Sequence, residues 1–459
     1  MGRLKQTSST LVSDLTRREG DGSSSDSLER NVRMNVYHGI ASIMALSLAV
    51  PFIGIFAVRI GASDLQVGLL SSGPALVSLL SMIPGGRFMD RQSRKRRMVA
   101  RFIFLHRLFY VFIASIPFFT VDRRAWLLVF AVAIMNVPAS IANIGWQAFI
   151  SQVVPVARRA DAFAARNRLM NLAGTVVVLI TGRLIDVLGF PVGYQVTFAG
   201  AFVLSLVEIW VLGRVEETPD GSSQNRVSGA EIAAAARTAG SFSGLGNALR
   251  EVAGERRFVR YTLACVVFYL CWQAPWPLFT LYQVKVLGAN NTWVSLLNLT
   301  NTGGSLIGYG FWARKINQYG NLRTLFLSSV GIFIVPVAYA LSRSLLTVAG
   351  FNLLTGAIFS GVNLALFNQL LEVTPQTNKA TYIAYYTTAV NAAVIFAPML
   401  GVSLLGLFGY FWAFMACAGL RLAGSFVFLL VSHLDRKGDG DDVGGSRRNR
   451  GRSQGRVLR

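Results

Sequence analysis

Charge is scarce in this chain. Only 14% of its 459 residues are Asp, Glu, Lys or Arg, whereas a soluble domain carries about 25%. Three cysteines and three histidines leave little material for a disulfide framework or a metal centre. Cys265, Cys271 and Cys417 sit inside apolar runs and read as small packing residues. Those runs hold no HExxH, no paired catalytic carboxylates and no Ser–His constellation, and no Gly-rich phosphate loop occurs. An enzyme is therefore not expected, and neither is ATP as a direct energy source. No metal or cofactor is called for.

What the chain has is hydrophobic length. Its residues are 53% apolar, with a mean hydropathy of +0.48. Twelve runs approach 20 residues, at 37–60, 66–86, 98–120, 125–150, 163–187, 191–213, 258–284, 292–312, 322–341, 345–371, 380–404 and 408–432. Apolar runs of that length read as membrane helices. The expected fold is an all-α polytopic membrane protein of twelve transmembrane helices.

The two sets of six are related. Arg59–Leu70 aligns without a gap on Val286–Leu297, and the same register brings Arg87 onto Arg314, Asp90 onto Asn317, Ser93 onto Gly320 and Arg96 onto Arg323. A second register pairs Asn143 with Asn363, Pro155 with Pro375 and Asn171 with Asn391. Matches of Leu or Val would mean little here; matches of Gly-Ala, Arg, Asn and Pro mean more. Two homologous six-helix halves related by pseudo-symmetry are the simplest explanation, and secondary transporters are often built that way.

A net charge of +22 in a soluble protein would point to nucleic acid. Its placement points elsewhere. Basic residues crowd the Ser-rich N-terminal arm (1–34), the 86–97 loop, the central linker (214–257) and the tail (434–459), while alternate loops hold few. By the positive-inside rule the termini and the linker are cytoplasmic. The halves are then 35–213 and 258–433. Arm and tail read as disordered, with a short helix expected at Ala233–Ala236 of the linker. Partners expected on this reading are the lipid bilayer and a small solute, with no nucleic acid. Arg-rich, Lys-poor usage without a cleaved signal points to a bacterial inner membrane.

One loop carries mechanism. Gly86-Arg87-Phe88-Met89-Asp90-Arg91-Gln92-Ser93-Arg94-Lys95-Arg96-Arg97 resembles the cytoplasmic signature loop of the major facilitator superfamily, departing from it at Ser93, where the family usually has Gly. The second copy keeps Gly320 and Arg323 but has Asn317 for the acid and Gln318 for the following Arg. The resemblance spans nearly the whole chain. It implies a monomeric secondary (non-ATP) transporter of a small organic solute, working by alternating access through a central cavity. It also implies that Asp90 is a latch steadying the outward-open state, supported by Gly86, Arg91, Arg94 and Lys95. A plain topology-setting basic loop is the alternative. Trp146–Ile150, running into Pro155, Arg158-Arg159 and Arg166-Asn167, looks like a pattern of bacterial facilitators without assigned substrate. Gly174 and Gly182 lack the Gly-Pro of the drug-efflux branch.

In that family the cavity is lined mainly by spans 1, 4, 7 and 10. Span 7 offers Tyr269, Trp272, Gln273 and Trp276, with Pro275 and Pro277 favouring a local break. Trp272 and Trp276 lie four apart, on one helix face. Asn136 and Asn143 on span 4, and Asn352 and Asn363 on span 10, add neutral polar groups. Aromatic walls with sparse amides suit an organic ligand. The same residues could equally form an interfacial belt or join neighbouring helices. His106, Arg107, Glu208 and Arg421 are expected in packing or ion-pair roles, since spans 3, 6 and 12 are peripheral in the family. A facilitator-fold sensor or assembly partner that does not transport is the competing function.

Overall fold

The computed structural model describes residues 22–90, 92, 94–153, 156–215, 254–375 and 379–454. Helices dominate, and no strand occurs among the described residues. An apolar segment in a bilayer must satisfy its backbone internally, and a helix does so alone.

In chain order the helices are α1 (Gly22–Ala49), α2 (Ile53–Arg59), α3 (Asp64–Asp90), α4 (Lys95–Ser115), α5 (Val121–Ile134), α6 (Asn136–Val153), α7 (Val156–Leu188) and α8 (Val192–Gly213). The second half continues with α9 (Arg256–Gln273), α10 (Trp276–Leu281), α11 (Asn291–Tyr319), α12 (Asn321–Gly331), α13 (Ile334–Leu341), α14 (Leu345–Val373) and α15 (Lys379–Gln454). Several spans are broken where a proline removes a backbone donor: Pro51 between α1 and α2, Pro138 near the α5–α6 joint, and Pro275 between α9 and α10, with Pro277 in the first turn of α10.

Among the described residues, ten helices are long and apolar enough to cross a membrane, against the twelve expected runs. Two features account for the difference. The segment 385–434 is a single helix only by hydrogen-bond pattern, because Gly409 (φ 70°, ψ 175°) turns the chain inside it. The other is α11, which is 29 residues long but rich in Asn, Thr, Ser and Gly.

Backbone geometry repeats between the halves. Gly61 (φ 88°) and Gly288 (φ 66°) are equivalent in the repeat and both take the left-handed conformation that glycine adopts without steric cost. The alanine after each, Ala62 or Ala289, is buried. Gly189 (φ 72°) and Gly409 (φ 70°) form a second such pair, turning the chain before spans 6 and 12.

Two expectations at the termini change. Residues 22–34 of the arm belong to α1, and the tail continues α15 as helix to Gln454. Neither stretch contains a proline, and extending an existing helix is far easier than starting one. The rest of the arm (1–21), linker residues 216–253 with the expected Ala233–Ala236 helix, and the last five residues lie outside the described set.

Within each half, small residues let helices approach. The most extensive pairing joins α11 to α14. A Cβ at Gly304 would collide with the Leu353 carbonyl, and one at Gly356 with the Asn301 carbonyl. Ser305 Oγ donates to the Gly356 carbonyl (3.1 Å) and Trp312 Nε1 to the Ala357 carbonyl (2.7 Å). Close backbone approach with side-chain hydrogen bonds is how helices associate where lipid competes for apolar surface. Between the halves, α3 packs on α15 and α7 on α11.

Candidate functional site

The signature loop is held by its surroundings. Met89 is buried with Val99, Ile103, Ala142, Phe149, Leu212 and Val215, tying the end of α3 to α4, α6 and α8. Arg96, which the sequence reading did not single out, donates to the carbonyls of Gly213 (3.1 Å) and Val215. It thereby caps the C-terminal end of α8, where a cation is favoured. Arg94 is the exposed N-cap of α4, and Lys95, half-buried, begins that helix. Asp90 ends α3, but its side chain, together with Arg91 and Ser93, lies outside the described residues. Close helix approach is made by Gly85 and not by Gly86 of the motif. A Cβ at Gly86 would meet nothing within 4 Å, whereas one at Gly85 would stand 2.5 Å from Ile141. The helical rotation from 85 to 86 carries Gly86 off the α6-facing side.

In the second copy Asn317 and Arg323 are exposed, and Gly320 ends α11 with φ 80°. The nearby acid comes from span 10: Glu372 Oε2 accepts from Asn321 Nδ2 (2.6 Å).

On the central face two of the candidate residues take the packing role that the sequence also allowed. Trp272 is buried among Phe268, Tyr269 and Phe359, while Trp276 is 43% exposed. The break after Gln273 ends the regular helix on which a shared face rests, although both rings still touch Phe359. Asn352 is also buried, its Nδ2 directed at the Leu297 carbonyl (3.4 Å) across the α11–α14 contact. It joins helices. Asn136, half-buried, bonds within its own span to the Val132 carbonyl (2.7 Å). Tyr269 and Gln273 are half-buried; Asn143 and Asn363 are exposed.

The break in span 7 has a partner that pattern alone did not reveal. Arg421 is 1% exposed and donates to the Trp272 carbonyl (2.8 and 3.2 Å) and the Ile332 carbonyl (3.3 Å). Pro336, four residues after Ile332, has no N–H for that carbonyl. One guanidinium thus ties two proline-broken spans, with its face 5.3 Å from the Phe279 ring centre.

A buried charge cluster fills the N-terminal half. Arg107 bonds Glu208 Oε2 (3.0 and 3.3 Å), Tyr110 Oη (3.1 Å) and Ser42 Oγ (3.2 Å). His38 Nε2 stands 3.7 Å from the other oxygen of Glu208. The expected ion-pair role of Arg107 and Glu208 is therefore what the geometry has. Trp146 stacks on His38, with ring centres 6.3 Å apart, and the Arg166 guanidinium stands 4.5 Å from its ring centre. Sequence reading missed His38, because a lone histidine near a span end carries no spacing signal.

Among the described residues, the hydrogen bonds between the halves gather at one end. Asp186, on α7, accepts from Asn291 N (3.1 Å), Asn291 Nδ2 (2.9 Å), Thr292 N (2.8 Å) and Thr292 Oγ1 (2.6 Å) at the start of α11. Tyr194 Oη donates to Asn291 Oδ1 (2.8 Å), and Ser295 Oγ to the Val178 carbonyl (2.8 Å). Gly182 lets the chains meet here, since a Cβ would overlap Ser295 and the Asn291 carbonyl. Lys285 pairs with Asp64 at 2.7 Å on the rim. A carboxylate facing exposed N–H groups and the positive end of a helix is a favourable pairing.

Known proteins agree with this architecture. The family model described as Major Facilitator Superfamily matches residues 39–349 and 262–458. The chain belongs to the Major Facilitator Superfamily. Solved structures share the superfamily fold at low identity. A mutant of the nucleoside transporter NupG superposes with a TM-score of 0.65 at 10% identity, covering 87% of this chain and 99% of that one. The human organic anion transporter MFSD10 (TETRAN) gives 0.56 at 14%, covering 87% and 99%. A bacterial homologue of the human lysosomal transporter Spinster, inward-facing and unoccupied, gives 0.55 at 14%, covering 90% and 96%. No curated protein sequence matches the chain. The superfamily is one of membrane transporters, and this member is a multi-pass membrane protein.

Proposed function

We propose that this superfamily member is a secondary transporter, not driven by ATP, that moves a small organic solute by alternating access. The observation that carries the reading is where the halves bond to each other: among the described residues, their hydrogen bonds and ion pair lie at one end. Asp186, Tyr194, Lys285 and Asn291 join them at the end that the charge distribution assigns to the outside. Asn143, Trp276 and Asn363 are exposed, as residues of a cavity open to the cytoplasm would be. The conformation is then inward-open, in a bacterial inner membrane with both termini cytoplasmic, and one chain suffices. Asp90, with Gly86, Arg91, Arg94 and Lys95, is assigned the latch of the opposite, outward-open state; Asn317, Gly320 and Arg323 form its weaker counterpart. Nucleosides and organic anions, the solutes named for structural relatives, are the first classes to try.

The test is a thermal-shift screen of purified full-length protein against nucleosides, organic anions, sugars, amino acids and amphipathic drugs. A ligand at about 100 times its dissociation constant stabilises by about 2.7 kcal/mol. Trp276→Ala should weaken a hit by about 1–3 kcal/mol, the scale of one lost stacking contact. A hit that Trp276→Ala leaves untouched would move the site away from span 7. No saturable ligand across the panel would favour a non-transporting role.

A further inference from the structure

The second, eroded copy of the signature loop lies beside a hollow that solute transport does not use. A cleft of about 380 Å³ opens at the cytoplasmic end of the C-terminal half, lined by Arg257, Gly320, Asn321, Arg323, Glu372 and Ser432 among others. Beside it runs a larger groove of about 680 Å³ between α12 and the last part of α15, walled by Phe326, Leu327, Phe426, Leu429 and Leu430. Leu322, Arg323 and Ser432 line both, so the two adjoin. One compartment is polar and the other apolar, and the groove residues Leu327, Phe426, Leu429 and Leu430 are exposed where lipid would lie.

The polar compartment has a particular chemistry. Two arginines, Arg257 and Arg323, line the cleft with one carboxylate, Glu372, which leaves the lining one positive charge in excess. Arginine is the side chain best shaped for phosphate. The cleft also offers acceptors: Glu372, and Asn321 Oδ1, a buried oxygen without a hydrogen-bond partner. A ligand completing this site needs a phosphate, hydroxyl donors beyond it, one net negative charge and an acyl chain.

We propose that this half binds a phosphatidylglycerol molecule from the cytoplasmic leaflet. Its phosphate lies between Arg257 and Arg323, its glycerol hydroxyls donate to Asn321 Oδ1 and Glu372, and an acyl chain occupies the groove. Retention of Gly320 and Arg323 without the loop acid follows from this role, because an aspartate at position 317 would add negative charge close to the phosphate. Phosphatidylcholine lacks the donors, and phosphatidylethanolamine lacks the net charge.

The test uses delipidated full-length protein in detergent. Native mass spectrometry counts bound lipid and a melting curve reads its effect, with phosphatidylglycerol, phosphatidylethanolamine, phosphatidylcholine and soluble glycerol phosphate as separate additions. One equivalent of phosphatidylglycerol should remain bound and raise the melting temperature. The double variant Arg257→Gln/Arg323→Gln should weaken it about tenfold or more, the scale of one lost charge-assisted hydrogen bond. Ser432→Phe, which fills the passage between cleft and groove without touching a charge, should do the same; melting of each variant without lipid reports its folding. Equal stabilisation by phosphatidylcholine or phosphatidylethanolamine overturns the headgroup assignment. Equal stabilisation by glycerol phosphate overturns the lipid, and undiminished binding by both variants overturns the site.

Discussion

Replacing Asp186 by alanine should part the two halves at the end where Asp186 joins them. The carboxylate accepts four hydrogen bonds from Asn291 and Thr292 at 2.6–3.1 Å. Hydrogen bonds to a charged group contribute about 1.5–3 kcal/mol each, but these share one acceptor group that is only half-buried, and water replaces part of what is lost. A net loss of about 2–4 kcal/mol is reasonable, which shifts a two-state equilibrium by roughly 30- to 1,000-fold. A minor outward-open state of about 0.1–10% would then rise to between about 3% and nearly all of the population. Spin labels at Ser63→Cys and Arg343→Cys, exposed positions in opposite halves, read this directly; the native cysteines are buried. The distance distribution should lengthen in Asp186→Ala and lengthen less in Asp186→Asn, which keeps an acceptor. Lys285→Ala is the control: its partner Asp64 is 41% exposed, and such a pair contributes about 0–1 kcal/mol. Unchanged distances in a folded Asp186→Ala protein would refute the assignment of this contact as the closing element.

Three further outcomes follow from other parts of the fold. Glu208→Ala strands Arg107 in a buried site and should cost about 3–5 kcal/mol, read by chemical denaturation, whereas Arg107→Met/Glu208→Leu should recover most of it; equal stability of single and double variants would contradict the pairing. Gly356→Leu drives a side chain into the Asn301 backbone and should cost more than the roughly 1–3 kcal/mol of ordinary overpacking, so little monodisperse protein should survive size exclusion. Asp90→Asn should lower the flux of any substrate found and bias the spin labels toward the closed distance at normal yield. Asn317→Asp should do much less, since Gln318 offers no ionic partner, and equal effects would argue against the latch.

The overall plan of this protein was legible in its residues, and the reason is the bilayer. Long apolar runs have one way to satisfy their backbones there, so helix and family could be read from run length, the Gly86–Arg97 loop and the repeat. The repeat even marked the turns, since Gly61 and Gly288 fall on matching left-handed positions. Pro275 and Pro277 likewise announced the break in span 7. What the break does to its neighbours was decided in three dimensions: Trp272 turned inward, Trp276 stayed exposed, and Arg421, distant in sequence, came to hold the Trp272 carbonyl. The same holds for Asn352, which joins two helices, and for Asp186, whose importance depends on meeting the first turn of a helix in the other half. Spacing reports what a residue shares with its own helix. Which donors a carboxylate or carbonyl meets depends on how separate helices pack, and that is settled by close contact at residues such as Gly182, Gly304 and Gly356.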